Sequence, residues 1–81
     1  MSVTMGEAEL REMLMSRNEE YRKLAKEHQD YAQELDELYT RPYLTEEERI
    51  QEITLKKKKL MLKDRMYSIV IEYRKQLEGN P

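Results

Sequence analysis

The chain has 81 residues, of which 40% are Asp, Glu, Lys or Arg and 38% are hydrophobic, below the roughly 45–50% apolar share of an average soluble domain. It holds six Tyr, two Gly and two Pro but neither Cys, Trp nor Phe, which rules out disulfides, thiolate metal sites and cysteine nucleophiles. Its length allows one small domain, no stretch approaches the about 18 apolar residues of a membrane span, and the first six residues lack the apolar core of a secretory signal, so the expected compartment is the cytoplasm.

Residues 1–6 read as a flexible N-terminal tail. From Glu7 the pattern turns helical: Leu10, Leu14, Arg17, Tyr21, Leu24, His28, Tyr31, Leu35 and Leu38 keep a 4-3-4-3 spacing, a heptad seam of more than four heptads. Only Arg17 and His28 interrupt its apolar character. Ala25 and Ala32 widen the stripe and leave room for a close neighbour. Around Ser16 and Asn18 the seam weakens. Ser16 and Glu19 have capping-box spacing, and Asn18 is itself a favourable N-cap. A break near Ser16 to Asn18 and a continuous, slightly bent helix are both compatible with this segment.

Pro42 pushes Arg41 out of helical angles, so the first helix should end near residues 39–41. Thr45, followed by Glu46, Glu47 and Glu48, restarts a helix: Thr45 caps, Glu48 reaches back, and the acidic first turn suits the positive helix end. Leu44 is placed to staple onto the new helix. Gly79 is the expected terminator. The predicted fold is all-α, one domain over residues 7–78: a helix over about 7–40, a turn at 41–45 and a helix over about 46–77. Together they form an antiparallel two-helix hairpin expected to assemble into a larger helical bundle, with residues 79–81 as a C-terminal tail.

The second helix has two apolar faces. With Ile53 set at 0°, Ile50, Ile53, Leu60, Tyr67 and Ile71 fall between about 320° and 60°. Leu55, Leu62, Met66, Ile69, Val70, Tyr73 and Leu77 fall between about 160° and 260°. One preceding helix covers one face, which leaves the other to a second copy or a partner helix. The larger face, Leu55, Leu62, Met66, Ile69, Val70, Tyr73 and Leu77, is the expected interface, with a homodimer as the simplest form. Folding about Pro42 brings Tyr21 opposite Asp64, and His28 opposite residues 57–60. His28, Lys57 and Asp64 are therefore expected as polar residues that fix register in the hairpin core.

Charge is divided unevenly. Residues 1–52 carry 14 acidic and 7 basic side chains, and residues 53–81 carry 3 acidic and 8 basic. Lys56, Lys57, Lys58, Lys59, Lys63 and Arg65 suggest nucleic-acid or nucleoprotein contact as the alternative function. Consecutive lysines fan out around a helix by about 100° each, so charge pairing with the acidic first half is the favoured reading and nucleic-acid binding the weaker one. His28 is the single histidine, without the partners of a catalytic triad or a zinc site, and no Gly-rich phosphate loop is present. Tyrosines at heptad spacing suit a half-buried seam. The expectation is a protein that is not an enzyme, with no cofactor, no metal, no membrane contact and no small-molecule substrate.

Leu14, Asn18, Tyr21, Leu24, Glu27, His28, Gln29, Tyr31 and Leu35 resemble the first-helix pattern of the small bacterial YdcH-like proteins, approximately L-x-x-x-N-P-x-F-x-x-L-x-x-E-H-x-x-L. Leu44, Thr45, Glu46, Glu47 and Glu48 look like that family's turn and cap. The run Lys56, Lys57, Lys58, Lys59, Leu60, Met61, Leu62, Lys63, Asp64 resembles its K-K-x-K-L-x-L-K-D segment, the most specific piece. This chain departs at Glu19, where the family tends to have Pro, at Tyr21 for Phe and at Tyr31 for Leu. The resemblance implies an all-helical hairpin of unknown biochemical role and assigns no catalytic residue. Residue pattern and resemblance together point to a non-enzymatic helical interaction or scaffold module that self-associates through the second face of its C-terminal helix.

Overall fold

In the computed structural model, residues 6–79 are described; of the expected tails at residues 1–6 and 79–81, residues 1–5 and 80–81 lie outside them. Within the described residues three helices follow one another: α1 over Glu7–Arg17, α2 over Glu19–Tyr39 and α3 over Glu46–Leu77. The two-helix expectation is corrected here, because the first helix is two separate pieces. Asn18 is the cause. Its backbone is extended, at φ −115° and ψ 112°, and its side-chain oxygen accepts the Tyr21 N–H at 2.8 Å. That bond satisfies one of the unpaired donors at the start of α2. Glu19 takes the first helical position, where a proline is well tolerated. Ser16 does not cap; its hydroxyl donates back to the Met13 carbonyl at 2.9 Å.

The break turns the chain back on itself. A continuous helix would hold Arg11 and His28 about 25 Å apart along its axis, yet both line one cleft between the helices. Arg22, in the first turn of α2, donates to the Met15 carbonyl in the last turn of α1 at 3.3 Å. α1 therefore lies across the end of the α2–α3 hairpin away from the turn. The molecule is a rod of 56 × 21 × 18 Å.

The turn at residues 40–45 is built from capping bonds. The Thr40 N–H and hydroxyl both reach the Glu37 carbonyl, at 3.3 and 2.7 Å. A full capping box opens α3: Glu48 N–H donates to Thr45 Oγ1 at 3.1 Å, and Thr45 N–H to Glu48 Oε1 at 2.9 Å. Arg41 pairs with the other oxygen of Glu48, tying the end of the turn to the new helix. The Thr45 backbone N–H, with Arg41 beside it, holds the Glu48 carboxyl below its usual range. At the far end Gly79 adopts φ +61°, the left-handed conformation that stops a helix and favours glycine.

Two small cores hold the helices together. Leu10 and Leu14 of α1, Tyr21 of α2 and Ile69 and Val70 of α3 form one, flanked by Leu24, Met66 and Tyr73. Leu35 and Leu38 of α2 with Leu55 of α3 form the other near the turn, flanked by Tyr31 and Leu44. The seam read from the sequence runs through both. Arg65 reaches from α3 to Glu20 on α2, at 2.8 and 2.9 Å. Both side chains are half exposed, so the pair contributes at most about 1 kcal/mol. Asn18→Ala should lower unfolding stability by about 1 kcal/mol in urea titration, and Asn18→Gly by only a few tenths.

Candidate functional site

α3 carries the apolar excess that the sequence announced, but the faces are assigned the other way round. Leu55, Ile69 and Val70 are buried inside the chain, and Met66 and Tyr73 pack against the same core. Leu62 is half-buried as well, and of the seven expected interface residues only Leu77 is exposed. The reason is the extra helix. α2 alone would leave part of this face open, whereas α1, turned back at Asn18, supplies Leu10 and Leu14 against Ile69 and Val70. The larger face thus became the core, and the smaller one was left outside.

That outer face is a regular row. Ile50, Ile53, Leu60, Tyr67 and Ile71, with Met61 at its edge, are exposed by between 39% for Ile71 and 70% for Met61. Lys57 and Asp64 complete the row, both exposed. Residues 50, 53, 57, 60, 64, 67 and 71 keep a 3-4 spacing, the pattern of a coiled-coil seam. The row spans about 32 Å of helix. No ion-pair partner for Lys57 or Asp64 occurs among the described residues, where ion pairs join Arg11 to Glu7, Lys26 to Asp30, Arg41 to Glu48, Lys56 to Glu52 and Arg65 to Glu20.

The expected polar register of His28, Lys57 and Asp64 is therefore split. His28 sits half-buried between the helices, whereas Lys57 and Asp64 stand on the outer face. Their wheel positions, at about 40° and 20° from Ile53, belong to the side of α3 that turns away from α2. No hydrogen bond joins Tyr21 to Asp64, which the fold-back places opposite each other; Arg65 and Glu20, one position along on each helix, make the polar pair there.

The lysine run is dispersed. Lys56 bonds Glu52 at 3.3 Å and lies over the Tyr39 ring at 5.9 Å. The Tyr39 hydroxyl and the Lys56 ammonium hold the Glu52 carboxyl below its usual range. Lys58 lies over the Tyr31 ring at 5.4 Å. Lys59 and Lys63 flank His28 closely enough to act on its charge, and Lys57 belongs to the outer row. Four neighbours in sequence thus serve four sides of one helix.

His28 lines a cleft of about 240 Å3 with Arg11, Tyr21, Lys63, Met66, Tyr67 and Val70. Its Nε2 atom is buried and meets no hydrogen-bond partner among the described residues. Burial lowers the His28 pKa, and Lys59 and Lys63 lower it further. Protonation of Nε2 would place an unbonded N–H and a charge between two ammonium groups, so the neutral ring is the one this site fits. Burial raises the Tyr21 hydroxyl above its ordinary value as well. Among the described residues no group of His, Asp and Glu is placed to hold a metal ion, and no helix is long and apolar enough to cross a membrane.

Comparison with known proteins gives a family and nothing finer. A family described as "Protein of unknown function (DUF465)" matches residues 22–70, which take in α2 from Arg22, the turn and α3 as far as Val70. The chain belongs to that family, to which the YdcH-like proteins also belong. No curated protein and no solved structure matches. The matched segment includes His28 and the outer row up to Tyr67, but neither α1 nor Asn18.

The depressed pKa of His28 fixes a sign for pH dependence. The unfolded chain takes up this proton near pH 6.5, before the folded one does, so stability is full above that pH and falls as the solution becomes more acidic. His28→Gln should flatten the fall between about pH 7 and pH 5 in thermal melts. An unchanged slope would show that His28 is not the group that titrates.

Proposed function

We propose that this member of the family is a non-enzymatic helical interaction module, and that it self-associates through the outer face of α3. The observation that carries this reading is the exposed seam from Ile50 to Ile71. Isolated exposed apolar residues need no explanation, but a contiguous row at coiled-coil spacing marks an interaction site. Each Leu or Ile taken fully out of water is worth roughly 1.5–3 kcal/mol, and the row offers several along one straight edge.

The thin core supports the same reading. Among the described residues eight side chains are buried, in two separate clusters. A small domain without disulfide or metal gains from assembly. Pairing along α3 would leave α1 and α2 where they are and make a larger bundle with two α3 helices at its centre.

The expected result in sedimentation equilibrium is a dimer at micromolar concentration. A monomer at several hundred micromolar would sink this reading. Ile53→Asp and Leu60→Asp should each give a monomer that keeps its helical circular dichroism. Val70→Asp, in the inner core, should lose helicity instead, because it buries an unpaired carboxylate.

A further inference from the structure

The outer seam has a charge order that chooses the direction of its partner. Reading the row from Ile50 as positions a and d of a heptad, Ile50, Lys57, Asp64 and Ile71 fall at a, and Ile53, Leu60 and Tyr67 at d. Lys57 and Asp64 thus lie at the middle of the row, one heptad apart, of opposite sign and unpaired within the described part of the chain. We propose that the partner is a second copy of this chain in antiparallel orientation, with a two-fold axis crossing α3 near Leu62, and that Lys57 and Asp64 specify this orientation. The proposal rests on the self-association just described and adds its geometry.

In a parallel pair, a positions face their own mates. Lys57 would meet Lys57 and Asp64 would meet Asp64, two like-charge contacts in the least hydrated part of the interface. In an antiparallel pair, a positions of one helix interleave with d positions of the other. Ile53 then packs beside the second copy's Ile71, and Lys57 beside the second copy's Tyr67. Leu60 packs beside the second copy's Asp64. Each of these pairs occurs twice by symmetry. Lys57 stands about 4.5 Å along the axis from the level of the second copy's Asp64, within reach of a lysine stem. Two symmetric ion pairs then flank the axis.

The rims differ. Met61 meets its own mate at one edge of the axis, which covers the most exposed apolar residue of the row. Lys63 meets its mate at the other edge, an unfavourable contact. It lies in water, where screening reduces it, whereas the Lys57 and Asp64 charges lie inside the seam. The balance therefore favours the antiparallel pair, and specificity comes from the contacts the parallel pair would suffer.

The absence of native cysteine makes the test direct. Ile53→Cys and Ile71→Cys are prepared separately, then oxidised alone and as an equal mixture, with products read by intact mass. The mixture should give the disulfide-linked heterodimer of the two variants, while neither protein alone should cross-link. Disulfide formation by Ile53→Cys alone would overturn the antiparallel arrangement in favour of the parallel one, with self-association intact. No cross-link in a protein that sediments as a dimer would show that another surface is the interface. A monomer would remove the underlying reading itself. As a second measure, Asp64→Lys should weaken the dimer at least about tenfold, as expected for a charge left unpaired in a buried seam. The double variant with Lys57→Asp and Asp64→Lys should regain most of that loss. Equal weakening in the single and double variants would overturn the role of the pair.

Discussion

An unpaired backbone donor at a helix start must find an acceptor, and Asn18 supplies one. By accepting the Tyr21 N–H, its side chain opens α2 while its own extended backbone closes α1. A bond worth about 1 kcal/mol would not by itself fold anything. Its effect is directional: it turns α1 back so that Leu10 and Leu14 reach Ile69 and Val70. Without that reversal α1 would run on from α2, and the far end of α3 would lose the residues that bury it. The location of the core, the cleft beside His28 and the identity of the exposed face all follow from this one local choice.

The stabilising contacts are distributed unevenly along the rod. Cores sit at the two ends of the hairpin, and the segment between them carries His28, half-buried, with Lys59 and Lys63 around it. In that segment the buried Nε2 of His28 meets no hydrogen-bond partner among the described residues. A histidine held neutral there avoids the larger penalty of a buried charge. The same stretch of α3 bears Lys57, Leu60 and Asp64 on its outer side. The centre of the hairpin lies between the two buried clusters, and a partner on the outer face, as proposed above, would lie against that stretch.

Much of the fold was legible in the sequence. The seam from Leu10 to Leu38 identifies its core residues because apolar side chains at 4-3 spacing have one way to be buried together. Thr45 and Glu48 mark the start of α3 through a motif whose two hydrogen bonds both form. The break at Asn18 was one of two readings, since Ser16, Asn18 and Glu19 offered overlapping caps and no Pro or Gly forced a choice. The faces of α3 were legible as a pair but not in their order. Deciding which is inside requires knowing how many helices cover it, and that depended on the undecided break.

Polar residues in the outer row show why that order was hard to see and what it means. Lys57 and Asp64 looked like core register residues because they interrupt an apolar stripe, and such interruptions are usual inside long heptad seams. A register-fixing role is compatible with either face. A polar residue in a seam costs stability and returns specificity only where a partner can answer it. Within this chain neither residue is answered by α2, whose nearby groups are spent elsewhere: Glu20 on Arg65, and Tyr31 on Lys58. Two unanswered charges of opposite sign, one heptad apart and framed by Ile53, Leu60, Tyr67 and Ile71, form a surface complementary to itself under a two-fold rotation. In the antiparallel pair proposed above, Ile53, Lys57, Leu60, Asp64, Tyr67 and Ile71 would each meet a member of the second copy's row, which gives the charges and the apolar residues around them a common use.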